Sequence, residues 1–159
     1  MHFETVEWDD VRALALRAAM DVETSAMYAD RSAAQTPDEQ AAVDRSLAID
    51  PATMVHTVIV IDDGVPVGHA ALRPWNDELE VKKVFIAANA RGRGLSRALM
   101  TELERVAGER GIPSLVLQTG DRQLAAIALY ESMGYRPTEV YGLYNAIPRA
   151  LCYRKTLAP

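Results

Sequence analysis

The hydrophobic pattern divides the chain into short β-branched or alternating runs and longer amphipathic stretches. The runs predict strands over residues 3–7, 54–61, 65–72, 79–86, 114–119 and 151–156, with one more near 135–140. Helical spacing predicts four helices, from residue 9 to about 29, from 36 to just before 51, over 96–110 and from 121 to 133. The polar stretch 28–38 is predicted to be a mobile connector.

Several residues mark where these elements begin and end. Asp9 and Asp121 are predicted N-caps, and Thr36 with Pro37 and Glu39 has the composition of a capping box. Pro74 is predicted to end a strand, and the sequence Asp-Asp-Gly at 62–64 is typical of a hairpin turn. The first helix is predicted to present one apolar face, made of Val11, Leu14, Ala15, Ala18 and Val22.

The order of elements predicts an α/β fold (α+β by some schemes). The segment 79–119 is a β-α-β unit, whose two strands are expected to be parallel with a right-handed crossover. The preceding hairpins are expected to be antiparallel. The expected architecture is therefore a mixed, mostly antiparallel sheet of six to seven strands, with a central parallel pair and helices on both faces.

Composition narrows the class of protein. A chain of 159 residues, 49% of them hydrophobic, suits a single domain with a core. The net charge of −5 argues against general binding to nucleic acid or to an anionic membrane. A lone cysteine, Cys152, suits a reducing compartment, and the N-terminus lacks the features of a signal peptide, so a cytoplasmic location is expected. No His, Cys and Asp spacing is typical of a metal site.

The most informative segment is 84–100, where an apolar strand leads through a glycine-containing loop into a helix. The loop and first helical turn are Arg91, Gly92, Arg93, Gly94, Leu95, Ser96 and Arg97. Glycines allow main-chain N–H groups to face phosphate oxygens, and the helix start adds unpaired donors and a positive dipole end. The segment matches neither the P-loop nor the complete dinucleotide fingerprint. The alternative to a pyrophosphate site is an arginine-rich helix start with solvated side chains.

A second string, from Gln123 to Tyr135, lies about thirty residues downstream. Helical spacing places Gln123, Ala126 or Ile127, and Tyr130 on one face. Taken alone, this string is equally typical of a core tyrosine whose hydroxyl is satisfied locally.

Together the two strings resemble the GCN5-related N-acetyltransferase (GNAT) superfamily. The first is similar to that family's acetyl-coenzyme A loop, R-x-x-G-x-[GAS], and the second to its [NQ]-x-x-A-x-x-x-Y-x-x-x-G-[YF] segment. The resemblance implies the acyl-CoA N-acyltransferase fold, one N-acetyltransferase domain over 1–159, and acetyl-CoA as co-substrate without a metal. It also implies that cofactor contacts come from Val84, Phe85, Ile86, Arg91, Gly92, Arg93, Gly94, Leu95, Ser96, Arg97 and Gln123. This sequence has Gln123 where asparagine is commoner and Ser96 where glycine is usual.

The same resemblance implies two catalytic roles. Tyr130 occupies the position of the general acid that protonates the departing thiolate. Glu80 lies eleven residues before Arg91, the spacing at which several members carry a glutamate base. The alternatives are a strand carboxylate paired with Lys82, and a base relayed through water.

The expected activity is acetyl transfer from acetyl-CoA to a primary amine of a small molecule, by direct attack in a ternary complex. Two alternatives stay open, namely acetylation of a protein N-terminus or lysine, and a non-catalytic acyl-CoA sensor or interaction module. The sequence does not specify the acceptor, the acyl-chain preference or whether the protein forms a homodimer.

Overall fold

The computed structural model describes residues 1–157 and contains seven strands and five α-helices. The strands are β1 (His2–Thr5), β2 (His56–Asp62), β3 (Val65–Trp75), β4 (Glu78–Ile86), β5 (Ser114–Thr119), β6 (Arg136–Thr138) and β7 (Leu151–Thr156). The helices are α1 (Val11–Met27), α2 (Ala29–Ala34), α3 (Pro37–Leu47), α4 (Leu95–Glu109) and α5 (Leu124–Ser132).

All seven strands belong to one mixed sheet, in the order β1-β2-β3-β4-β5-β7-β6. Strands β1 to β4 pair with one another in antiparallel fashion. Strands β4 and β5 are parallel, and β7 is antiparallel to both β5 and β6. The predicted fold class is confirmed, including the central parallel pair joined by α4.

Apolar side chains cover both faces of the sheet. On one face, α4 contributes Leu99, Met100 and Leu103 to the larger core, which also includes Tyr130 of α5. On the other face, Ala13 and Leu16 of α1 pack against Ile59 and Phe85 in a smaller core. Burial of these two helix faces fixes α1 and α4 on opposite sides of β4.

The predicted buried face of α1 is wrong. Val11, Leu14, Ala15, Ala18 and Val22 are exposed, whereas Ala13, Leu16 and Arg17 are buried. The helix is capped by Asp10, whose carboxylate accepts from the Arg12 N–H at 2.8 Å, and not by Asp9. The hydrophobic pattern assigned the wrong buried face to α1 because one buried position is occupied by Arg17, which has polar partners inside the protein.

Three local predictions also need correction. The stretch 28–38 contains α2, although the Thr36 capping box at the start of α3 is present as predicted. Strand β3 continues through Pro74, which pairs with Leu79. Helix α5 begins at Leu124, and the Asp121 carboxylate accepts hydrogen bonds from Arg31 instead of capping the helix.

Candidate active site

The parallel strands β4 and β5 separate partway along their length. They pair only where residues 79–81 of β4 face residues 115–117 of β5. Beyond that point β4 stays with β3 and β5 stays with β7. A wedge therefore opens at the carboxyl ends of the parallel pair, where α/β sheets commonly bind ligands. Main-chain groups of β4 on the wedge side, over residues 84–86, have no ladder partner from β5.

A β-bulge lies in β4 at the mouth of this wedge. Ala71 faces Lys82 and His69 faces Phe85, so β4 uses one more residue than β3 over the same length. Lys83 takes a φ of 54°, in the left-handed region that non-glycine residues seldom adopt. The bulge changes the direction in which the following peptide groups point.

A buried polar chain holds the bulge from the α1 side. The fully buried His69 donates from Nδ1 to the Lys83 carbonyl at 2.9 Å. Its other ring nitrogen, Nε2, lies 3.0 Å from Nη1 of buried Arg17 and accepts from it. Arg17 also donates to the Trp8 carbonyl at 2.7 Å and lies 3.6 Å from the centroid of the Trp8 ring. These contacts require neutral His69, since both ring nitrogens are already used.

This arrangement predicts loss of stability in mild acid. Burial lowers the pKa of His69 from 6.5 to about 4, with the nearby Arg17 charge acting in the same direction. As the pH falls below about 6.5, His69 therefore becomes protonated in the unfolded chain but stays neutral in the folded chain. The stabilisation is complete above that pH and declines toward pH 4, by about 2 kcal/mol at pH 5. Urea unfolding at pH 7 and pH 5 measures the change.

The control is His69→Asn, whose amide can still donate toward the Lys83 carbonyl but does not titrate. We expect the free energy of unfolding of this variant to change less between the two pH values. An equal acid-induced loss in both proteins would contradict the assignment to His69.

The loop after β4 has the backbone that its glycines predict. Gly92 and Gly94 have φ angles of 75° and 77°, and open space surrounds the position of a Cβ at both. Helix α4 begins at Leu95, and its N-cap residue, Gly94, provides no side-chain cap to the first turn. The N–H groups of this turn are therefore free of a capping side chain.

The three arginines of the loop point to three different elements. Arg91 donates to the Ile86 carbonyl at 2.9 Å and contacts Glu23 of α1 at 2.6 Å. Arg93 pairs with Asp62 at the β2–β3 turn, and Arg97 donates to Ser132 of α5 at 2.6 Å. Their charges surround the loop instead of converging on one point.

Tyr130 lies in α5 on the α4 side of the sheet. Its ring packs 5.8 Å from that of Tyr135 and 6.4 Å from that of Tyr153, measured between centroids. The residue is 6% exposed, and burial raises the pKa of its phenol above the usual value. The phenol is therefore protonated at neutral pH. Gln123 occupies the cap position of α5 without a side-chain cap bond.

Glu80 lies on the opposite side, where it is itself fully buried within a polar cluster. Its Oε2 accepts from Arg73 Nε at 2.6 Å, and its Oε1 accepts from the Tyr141 hydroxyl at 3.0 Å and from the Tyr144 hydroxyl. Lys82 Nζ lies 3.7 Å from Oε1 and donates to the Tyr144 hydroxyl at 2.6 Å. Sequence analysis anticipated the Lys82 contact but missed Arg73.

Aromatic residues cover this group of side chains, which we call the Glu80 cluster (Arg73, Glu80, Lys82, Tyr141 and Tyr144). The Tyr141 ring packs 4.9 Å from Trp75 and 5.2 Å from Tyr144, and Tyr144 is 2% exposed. Burial, with the Glu80 charge, raises the pKa of both phenols, so they remain hydrogen-bond donors to the carboxylate. The Glu80 carboxylate is therefore held by Arg73 and separated from solvent by two hydroxyl groups.

Glu78 lies two residues before Glu80 on the same face of β4 and forms a separate ion pair with Arg154. Its carboxylate accepts from Arg154 at 2.7 Å and 2.9 Å and from the Ser114 hydroxyl. Over residues 1–157, no group of three or more His, Cys, Asp or Glu side chains could hold a metal ion. In the same described part of the chain, no helix is long and apolar enough to cross a bilayer.

The α1–α2 corner closes over the start of α5. The Tyr28 hydroxyl accepts from the Arg122 N–H at 3.2 Å and lies against Gly120, where a Cβ would come within 1.9 Å of it. Arg31 of α2 pairs with Asp121 at 2.8 Å and also donates to the Pro148 carbonyl. These contacts join three segments around the wedge: the helical corner, the β5–α5 loop and the segment before β7.

A wedge between parallel strands, a β4 bulge and an uncapped glycine turn define the acyl-CoA N-acyltransferase class of fold. The sequence model of the acetyltransferase (GNAT) family matches residues 10–135. The chain therefore belongs to this family, as its motifs indicated.

Individual relatives agree with this assignment. The chain is 36% identical to an IAA acetyltransferase of Azospirillum brasilense over 78 residues, 49% of this chain and 51% of the relative, so the match spans about half of that protein. A proposed acyl-CoA N-acyltransferase from Klebsiella pneumoniae has a TM-score of 0.77 at 28% identity, covering 99% of this chain and 97% of that one. A GNAT acetyltransferase from Elizabethkingia anophelis with acetyl-CoA bound has a TM-score of 0.58 at 19% identity, over 72% and 81% of the two chains.

Proposed function

We propose that this protein transfers an acetyl group from acetyl-CoA to the primary amine of a small molecule, by direct attack within a ternary complex. The observation that carries the proposal is the opening between β4 and β5, which ends at the uncapped, glycine-initiated turn of α4. The acetyl-CoA bound to the Elizabethkingia neighbour supports this choice of donor.

In the proposed complex the main chain supplies most of the cofactor contacts. The unpaired edge of β4 at Val84, Phe85 and Ile86 would hydrogen-bond the pantetheine arm like an added strand. The N–H groups from Gly92 to Arg97, with Leu95 and Ser96 between them, would hold the pyrophosphate. Gln123 would contact the arm from the other side of the wedge. The fit rests on two observations, the positive φ of Gly92 and Gly94 and the free space beside them.

The chemistry requires three groups from the protein. Bound acetyl-CoA supplies a thioester carbon, where a bond to the acceptor nitrogen forms as the bond to sulfur breaks. A main-chain N–H released by the bulge would donate to the thioester oxygen as negative charge develops there. Tyr130 would give its proton to the departing sulfur. The proton lost by the amine would go to Glu80 through a covering tyrosine hydroxyl, because Glu80 itself is fully buried.

Release of free thiol from acetyl-CoA, measured against a panel of amines and peptides, tests this function. We expect turnover with small primary amines, since the Tyr141 and Tyr144 rings leave Glu80 no exposed surface for a large acceptor. Cofactor binding without thiol release on any amine or peptide would instead indicate an acyl-CoA sensor. Turnover restricted to peptides would indicate a protein acetyltransferase.

A pair of glycine variants tests the cofactor site itself. Gly94→Ala places a Cβ at a φ of 77°, which costs about 1–2 kcal/mol and disturbs the turn, so we expect the KM for acetyl-CoA to rise roughly tenfold. Gly108→Ala is the control, because Gly108 lies in the same helix with open space and no positive φ. Equal KM values in both variants would place the cofactor elsewhere.

A further inference from the structure

The Glu80 cluster contains more positive than negative charge. Arg73 and Lys82 are two cations, while Glu80 is the one carboxylate they share. The side chains of these three residues are 18%, 9% and 0% exposed, respectively. The neighbouring charges do not correct the imbalance, because Glu78 pairs with Arg154 and Lys83 pairs with Asp21. One buried positive charge is therefore unmatched.

Lys82 and Arg73 both donate to the hydroxyl oxygen of Tyr144, and both have further N–H donors that this cluster does not use. Lys82 Nζ donates to the Tyr144 hydroxyl at 2.6 Å, and Arg73 Nη2 donates to the same oxygen at 3.3 Å. An ammonium has three N–H donors and a guanidinium has five, so this cluster does not exhaust either group. Burial lowers the pKa of Lys82 to about 8, Glu80 opposes this shift, and the nearby charges of Arg73 and Lys83 add to it.

We propose that Lys82 and Arg73 bind the carboxylate of the acceptor, so that the preferred acceptors are amino acids. This inference rests on the proposed function and names its substrate class. A carboxylate carries the single negative charge that the cluster lacks, whereas a phosphate dianion would overcompensate it. A simple alkylammonium meets two cations on approach and is repelled by them.

The position of Lys82 along β4 agrees with an acceptor of this size. Lys82 directly precedes the bulge, and Val84 lies two residues further on, just past Lys83. An amino acid can therefore place its carboxylate near Lys82 and its amine near the bulge. The same two cations favour the neutral, nucleophilic form of that amine, because nearby like charge lowers an amine's pKa.

The test compares matched acceptors, phenylalanine with phenethylamine and β-alanine with ethylamine, by kcat/KM in the thiol-release assay. We expect the wild-type protein to prefer the amino acid of at least one pair by about 100-fold. Lys82→Met should raise the KM for that amino acid by about 30-fold or more and leave the amine less affected, because it removes one partner of a buried charge pair. Lys155→Met is the control, since Lys155 pairs with Glu104 on another part of the sheet.

A second measurement does not depend on turnover. 3-Phenylpropionate and propionate carry the carboxylate without the amine, and the matching compound should inhibit the wild-type protein competitively against its amino acid, with weaker inhibition of Lys82→Met. Equal use of amines and amino acids, or unchanged selectivity and inhibition in a folded Lys82→Met protein, would overturn the inference. Those results would not contradict the proposed acetyl-transfer activity. The proposed function fails separately, by absence of thiol release with every acceptor.

Discussion

Glu80→Gln is expected to lower the free energy of unfolding by about 3 kcal/mol or more, a cost typical of removing one partner from a buried ion pair. The amide keeps the size of the side chain but leaves Arg73 and Lys82 as buried cations without an anion. It also presents N–H groups to hydroxyl groups that now donate to the carboxylate. Urea unfolding monitored by circular dichroism measures the loss.

A double variant separates the charge effect from simple loss of packing. Lys82→Met removes the unmatched cation, so in the Glu80→Gln background we expect it to restore part of the lost stability. The coupling energy from this double-mutant cycle should exceed 1 kcal/mol, as is usual for contacting residues of one polar network.

A surface pair provides the matched control. Glu109 contacts Arg105 across one turn of α4, with side chains 63% and 52% exposed. Glu109→Gln should change stability by less than about 0.5 kcal/mol, since exposed pairs contribute little. A Glu80→Gln effect as small as this control would show that the buried cluster does not depend on its carboxylate charge.

The part of the site nearest to this cluster was partly readable from sequence. Asn76 has a φ of 53°, and with Asp77 it forms the two-residue turn that joins β3 to β4. Counting back from that turn pairs Trp75 with Glu78 and then Arg73 with Glu80. Because Pro74 was predicted to end the strand, this register was not predicted. In the structure Pro74 still pairs with Leu79.

Local signals predicted the glycine loop better than the Glu80 cluster. The glycine loop depends on backbone preferences within a few residues, and the observed φ angles at Gly92 and Gly94 agree with them. The Glu80 cluster instead joins β3 and β4 to Tyr141 and Tyr144, some sixty residues away in sequence. Hydrophobic periodicity carries no information on such contacts.

The same limit explains the error in α1. Arg17 occupies a buried position because Trp8 and His69 provide polar partners, and these come from another loop and another strand. A hydropathy pattern assigns an arginine to solvent and therefore rotates the helix by the wrong amount. Only the three-dimensional contacts show that this arginine supports the bulge of β4 through His69.

Tyr130→Phe is expected to lower kcat about 100-fold, within the range usual for loss of a general acid, while the KM for acetyl-CoA and the unfolding midpoint change little. The substitution removes one hydroxyl and preserves the ring contacts with Tyr135 and Tyr153. Burial raises the pKa of this phenol, so the kcat of the wild-type protein should not fall through deprotonation of Tyr130 at pH values below the usual pKa of tyrosine. Steady-state thiol release across pH 6–10 measures both effects.

Tyr153→Phe is the control for this prediction. Tyr153 belongs to the same aromatic group, but its hydroxyl donates to Glu131 at 3.2 Å and has no role in the proposed proton transfer. Its removal should leave kcat within about twofold, since a half-exposed hydrogen bond of this kind affects stability by only about 1 kcal/mol. If Tyr130→Phe retained a comparable rate, protonation of the sulfur would have to come from solvent, and Tyr130 would serve only to pack α5 against the sheet.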